Sequence, residues 1–330
     1  MTFNGKVWLL GGYTNDVWSS SNGLDWARAT NVAPWNARSY FGAVALNGKM
    51  WVMGGQAHPG LNFNDVWSST DGVAWTRVTN NAPWGVRAGF GAVAFNGQMW
   101  VLGGDNSRAS FNDVWSSSDG LNWTRMTNAA PWAARTGLGV VVLNSKMWVM
   151  GGQNYNTSPN LFNDVWSSSD GANWTQVTAA AGWSARCDFA AVALHGQICV
   201  IDGFYSCHDV WASGDGVTWT CLAKPAPWTA RYDCQALDLN GQLWLLGGYC
   251  FSAFTNDVWV TTPALAITQA GGSVTVSWPY PSTDFNLEHN PGLAATGWTS
   301  IDSSPVQAGS QWQFSVSAPA GLGFYRLHYQ

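Results

Sequence analysis

The residues best placed to do chemistry sit where a periodic sequence departs from its own pattern. Asp-Val-Trp recurs at Asp16, Asp65, Asp113, Asp164, Asp209 and Asp257, a step of 45–51 residues. Asp188 and Asp233 each stand two residues after a periodic arginine, where earlier copies carry Tyr40, Gly89 and Gly137. Asp202 replaces the first glycine of a recurring Gly-Gly pair. Departures of this kind are where function is grafted onto a repeated scaffold. Asp188, Asp233, Tyr232, Tyr205 and His208 are therefore expected to line one pocket mouth. Two carboxyls could act as acid and base on a glycosidic bond. Both would have to be Asp, because the single glutamate, Glu288, is remote in sequence. Ordinary drift between repeats is the competing explanation.

All six cysteines fall in the same two copies: Cys187, Cys199, Cys207, Cys221, Cys234 and Cys250. Cys187 and Cys234 sit beside periodic arginines, and Cys207 and Cys250 precede Asp-Val-Trp. That register brings these four to one end of neighbouring units. At least one disulfide among them is expected, which would suit an oxidising compartment. A metal site made from them with His208 is the alternative, although no Cys-x-x-Cys pair is present. Neither a cofactor nor a metal is expected, since there is no Gly-x-Ser-x-Gly elbow and no phosphate-cradling loop.

The tryptophans and the other charges follow the period. All but three of the 24 tryptophans recur with it. Those within strands read as packing, since each buries roughly 150–250 Å². Those between units, Trp35, Trp84, Trp132, Trp183 and Trp228, could instead form a rim that stacks on sugar rings or peptide side chains. Arg38, Arg87, Arg135, Arg186 and Arg231 open the first strand of a unit, and the Asp-Val-Trp aspartates open the third. In an up-down-up-down sheet these starts share an end, so the charges are expected to pair as a structural ring.

The elements that must position these groups are short strands. In the second unit, Phe41–Leu46 and Lys49–Gly55 flank Asn47-Gly48, a strong two-residue hairpin signal. Val66–Ser68 and Trp75–Thr79 flank a second turn at Asp71-Gly72. The second strand is apolar on both faces, as a sheet covered on both sides requires. Four such strands at this period make a propeller blade. Four copies are complete. The first holds only its second to fourth strands (Lys6–Thr30), and the sixth only its first three (Ala236–Val260). Closure would need Leu265–Thr268 or a strand upstream of Met1. The expected fold is thus all-β, with a six-bladed propeller over 1–262 and a small C-terminal β-sandwich over 263–330.

The Gly-Gly ending the second strand, the Arg opening the first and the Trp of the fourth resemble the kelch repeat family, over about residues 4–260. The resemblance implies an architecture like that of the galactose-oxidase central domain. Copper-radical members need two Tyr, two His and a Tyr–Cys crosslink. Here the propeller holds only His58, His195 and His208, so the copper site is not carried over. The Ser-x-Asp-Gly-x-x-Trp turn resembles the Asp-box of sialidase-type propellers but is one residue short, and no sialidase activity is carried over. The C-terminal segment resembles β-modules appended to bacterial extracellular proteins.

Charged residues make up 10% of the chain, against roughly 25% in an average domain. A net charge of −5 without a basic run argues against nucleic acid or an anionic membrane as partner. No apolar run reaches transmembrane length. Phe3 already lies mid-repeat with no leader before it. This is expected of a truncated extracellular or cell-surface protein, a cytoplasmic one being the alternative. The expected role is non-catalytic: a monomeric recognition or scaffold protein binding a protein or glycan ligand. It would bind through the face carrying the Trp connections and the loops before Asp-Val-Trp. Those loops vary most, from Tyr13-Thr14 in one copy to Gln153–Phe162 in another. The alternatives are a polysaccharide hydrolase or lyase using Asp188 and Asp233, and a structural surface protein without ligand.

Overall fold

Tight turns set the blades. Asn47 and Gly48 both take positive φ, 51° and 68°, which the two-residue hairpin turn requires. The flanking strands pair in register from Gly42↔Met53 to Leu46↔Lys49. The computed structural model describes residues 1–58, 60–158, 160–204, 207–261, 266–270, 273–279, 285–290, 297–301, 305–308, 311–317 and 324–329. Among them the repeat forms five four-stranded antiparallel blades and a three-stranded sixth. The first strands of the blades are Thr2–Phe3, Gly42–Leu46, Gly91–Phe95, Gly139–Leu143, Ala190–Leu194 and Gln235–Leu239.

Two expectations about the incomplete blades change. The first blade does have a first strand, two residues long, with Thr2 opposite Val7 and Phe3 opposite Lys6. Ala266–Ala270 does not complete the sixth blade, because it pairs with Ser273–Pro279 in a separate sheet.

The turn between third and fourth strands satisfies its own polar groups. Ser69 Oγ accepts the amides of Asp71 and Gly72, and Asp71 Oδ1 accepts those of Val73 and Ala74 at 2.8 and 2.9 Å. The glycine of this turn then receives the neighbouring blade. The second-strand tryptophans Trp8, Trp51, Trp100 and Trp148 lie against Gly72, Gly120, Gly171 and Gly216, each in the next blade. A Cβ on Gly120 would stand 2.5 Å from the Trp51 ring. Between these contacts the second strands are covered on both faces, with Met50 to Met53 all buried.

Five of the six blades are pinned at the opposite end by an ion pair. Arg38 meets Asp65, Arg87 meets Asp113, Arg135 meets Asp164, Arg186 meets Asp209 and Arg231 meets Asp257, all at 2.6–2.7 Å. Arg135 is fully buried. It donates twice to Asp164, at 2.6 and 2.9 Å, and to the carbonyls of Gly151 and Ala133. Its guanidinium also lies 4.2 Å from the Phe162 ring centroid. Asp16 instead accepts from Thr14 Oγ1 and Trp18 Nε1, at 2.5 and 2.7 Å.

The chain divides into two compact units: Met1–Leu237 with Leu245–Trp259, and Asp238–Trp244 with Val260–Gln330. The boundary expected at 262/263 lies outside the described residues. The second unit contains a four-stranded sheet ordered Ala266–Ala270, Ser273–Pro279, Gln311–Ser317, Val306–Ala308. It also contains a three-stranded sheet ordered Thr299–Ser300, Phe285–Asn290, Phe324–Tyr329. Val276 and Leu287, one from each sheet, share its core.

Arg135→Ala should remove about 3–5 kcal/mol, because Asp164 would be left half-buried without its partner, and lower the melting temperature by on the order of 10 °C. Gly120→Ala should also destabilise, through the Trp51 clash and the strain of a side chain at φ 75°. Thermal melts of the two variants check both, and an unchanged midpoint for either would contradict the packing described.

Candidate functional site

Two residues after each buried arginine the chain turns through positive φ. Tyr40, Gly89, Gly137, Asp188 and Asp233 all have φ of 53–60°. These five positions are joined from blade to blade. The amides of Gly89, Gly137, Asp188 and Asp233 donate to the carbonyls of Tyr40, Gly89, Gly137 and Asp188 respectively, at 2.9–3.0 Å. The step from Asp233 back to Tyr40 is made by side chains: Tyr40 Oη donates to Asp233 Oδ2 at 2.8 Å. The ring leaves no room for a residue larger than glycine at two places. A Cβ at Gly89 would lie 2.2 Å from Thr136 Oγ1, and one at Gly137 2.4 Å from Asp188 Oδ1.

This ring brings two carboxyls together at the axial mouth of the propeller. Burial, then the charge of Asp188, pushes Asp233 up to about 7, against the opposing hydrogen bond from Tyr40. Burial also raises Asp188, although the Cys187 thiol donates to it, and the charge of Asp105 adds to the rise. No arginine or lysine offsets either group among the described residues. Tyr40 is itself held well above the usual phenol range by burial and by Asp233.

Beside the carboxyls runs a connected arc of rings. Tyr13 touches Phe254, Phe254 touches Tyr249, and Tyr249 touches Tyr232, with centroids 5.7, 5.0 and 5.4 Å apart. Tyr232 also meets Phe204 and Phe251, at 4.7 and 5.6 Å. Tyr13, Phe251 and Phe254 are 51, 49 and 66% exposed. The arc therefore crosses from blade five through blade six to blade one with ring surface open to solvent.

The residues expected at one mouth separate into two groups. Asp188, Asp233 and Tyr232 do come together, while Tyr205 lies outside the described residues. His208 does not face the mouth as a free ligand. Its Nε2–H donates to the Trp228 carbonyl at 2.5 Å. The side-chain amides of Asn15, Asn112 and Asn163 make the same bond to Trp35, Trp132 and Trp183 in their blades. His208 thus replaces a structural asparagine. Among the described residues no group of three or more His, Cys, Asp or Glu is arranged to hold a metal ion.

The connecting tryptophans are not a rim. Trp35, Trp84, Trp132 and Trp183 are only 1–2% exposed, and Trp228 is buried as well. Each packs edge-on against a tryptophan of the next blade, as Trp132 does on Trp174 at 6.0 Å. They wedge blades apart and offer no face to a ligand. The first four leave Nε1 without a partner, whereas Trp228 donates to buried Asp202 at 2.6 Å. Burial raises the Asp202 carboxyl to about 6.

The expected disulfides are also absent. Cys187, Cys207, Cys234 and Cys250 are free thiols, and the first three are buried. Burial and the neighbouring Asp188 push the Cys187 thiol well above its usual range. A thiol so held is a poor nucleophile for exchange, and the disulfide argument for an oxidising compartment falls away.

Sequence reasoning missed Tyr40, Tyr13, Phe251 and Phe254. Their one signal was their place, either on a loop before Asp-Val-Trp or two residues after a periodic arginine.

Five four-stranded blades and a three-stranded sixth, joined around an axial ring, define a β-propeller. The chain belongs to the kelch-repeat family, residues 1–203 matching the family described as KLHDC2/KLHL20/DRC7 Kelch-repeats domain. The solved structure of YjhT is similar, with a TM-score of 0.66 at 17% identity, covering 83% of this chain and 95% of that one. At that identity the likeness concerns the fold. No curated protein matches the chain in sequence.

The carboxyl pair makes a stability prediction. Asp233 titrates higher in the folded state than the ordinary value of about 4. The folded protein therefore holds the extra proton between about pH 4 and 7, and stability falls as pH rises through that window. Asp233→Asn should raise the melting temperature at pH 8 and leave it nearly unchanged at pH 4. Melts across this range check it, and a variant less stable than wild type at pH 8 would count against repulsion between the two aspartates.

Proposed function

We propose that this chain is a non-catalytic recognition propeller whose protein ligand docks on the loop face around the axial mouth. Membership of the kelch family supports an interaction role in general. The observation that carries the choice of face is the solvent-open arc of Tyr13, Phe251 and Phe254 beside two uncompensated carboxyls. Exposed, contiguous aromatic surface on loops held by a rigid scaffold is what a binding site needs. The opposite face carries the tight Asn-Gly and Asp-Gly turns, which are short and self-satisfied. A glycan is the finer alternative within the same reading, since sugars also stack on aromatic rings.

One observation favours a second reading. Two neighbouring carboxyls with raised pKa, one of them near neutrality, are the equipment of acid–base chemistry on a polysaccharide. The C-terminal sheets, if they are an appended module of the bacterial extracellular type, would suit either role outside the cell.

Panning a displayed peptide library against the propeller, in parallel with a polysaccharide degradation screen, separates the readings. Binders should be enriched that no longer hold to a Tyr13→Ser/Phe254→Ser variant. Binders indifferent to that change would place the site elsewhere. Turnover of a polysaccharide that disappears in Asp188→Asn would establish the enzymatic reading instead.

A further inference from the structure

The arc and the carboxyls together specify more than a face. We infer that the aromatic arc docks a protein segment that presents a lysine or arginine side chain to Asp188 and Asp233. This rests on the loop-face reading above and names its ligand chemistry.

Three observations converge on a cation. The rings of Tyr13, Phe254, Tyr249 and Tyr232 form a continuous wall, and aromatic faces attract an ammonium or guanidinium group through their quadrupole. The wall ends at Asp233, the sequence neighbour of Tyr232. There the negative charge has the Tyr40 hydroxyl but no cation: Asp188 lies beside it, Asp105 acts on Asp188, and no basic side chain offsets either carboxyl among the described residues. Elsewhere in the propeller five aspartates are paired with arginine, while Asp16 and Asp202 are held by hydrogen bonds from Thr14, Trp18 and Trp228. At the mouth two carboxyls adjoin one another, and a cation from outside would supply the charge they lack. A neutral sugar could stack on the rings but would leave that charge in place, and an anion would add to it. The chain's own net charge of −5 draws a basic segment toward the face.

The same groups set a pH dependence. Asp233 faces Tyr40, Asp188 and, through Tyr232, the phenol of Tyr13. Asp188 faces Cys187, Tyr155, Asp105 and Asp233. A cation entering between them displaces the proton that Asp233 holds near neutrality. Binding therefore releases a proton and tightens as pH rises from about 6 to 8.

The test uses heptapeptides selected by display against the full chain, resynthesised, and titrated at pH 6 and pH 8. Enriched peptides should carry a lysine or arginine. Exchanging that residue for norleucine should weaken binding about tenfold or more. Asp233→Asn should flatten the pH dependence and weaken binding at pH 8, with its thermal melt showing it folded. Phe254→Ser should weaken binding without altering the pH profile. Enriched peptides without a basic residue, or a norleucine exchange without effect, would overturn the cation while keeping the loop face. Binding that no loop-face variant disturbs would overturn both readings together.

Discussion

The structure depends on a guanidinium buried at the start of each of five blades. An arginine with almost no exposed surface is costly unless its charge is paired and most of its donors are met. Each of these bonds the aspartate that opens the third strand and carbonyls around it, with Arg87 Nε and Arg186 Nη2 left without a partner among the described residues. That bond ties the opening of the first strand to the opening of the third. It therefore fixes where the chain lies two residues later, at the axial position. The repeated blade is built outward from this tie. The Trp wedges, the second strands buried on both faces and the glycine seats for the neighbouring rings all assume that the blades arrive at one radius.

This explains why the axial ring tolerates such different residues. Four of the five links are made by backbone amides and carbonyls, which leaves the side chain free to vary within the available space, and the fifth is the Tyr40–Asp233 side-chain bond. Gly89 and Gly137 are constrained because their neighbours' side chains fill the space a Cβ would take. Tyr40, Asp188 and Asp233 are not, and they carry the polar groups of the mouth. A position held by its main chain and open at its side chain lets chemistry change without disturbing the blade.

That logic also sets what could be read from the sequence. The blades were legible because their causes are local and periodic: Asn-Gly turns, a doubly apolar second strand, Asp-Val-Trp. The Arg38–Asp65 type of pairing followed from strand direction alone. The connecting tryptophans were harder, because burial against the next blade depends on how blades stack, which a single unit does not reveal. His208 misled for a related reason. As a residue type it suggests a ligand, and only the bond made by Asn15, Asn112 and Asn163 shows it standing in for an amide. The Tyr40–Asp233 bond joins residues far apart in the chain, and nothing in the spacing of either announces the other. The same is true of the arc, whose rings come from loops and strand ends of three blades.

The contrast between the two kinds of aspartate carries the functional argument. Asp257 and its counterparts sit opposite arginine, and the Arg231 hydrogen bond holds the Asp257 carboxyl well below its ordinary range. The propeller thus has a ready means of stabilising a carboxylate, and the repeat supplies it at a fixed distance from the axial position. Asp188 and Asp233 lie two residues from Arg186 and Arg231, yet those guanidinium groups are already committed to Asp209 and Asp257. The axial carboxyls are left to repel one another in a half-buried mouth, which costs stability at neutral pH. Glycine at 188, as at Gly89 and Gly137, would keep the backbone links without that cost, whereas at 233 it would also remove the Tyr40 bond that closes the ring. An uncompensated carboxyl pair in a repeat that elsewhere supplies arginine is the contrast on which the proposed ligand site rests.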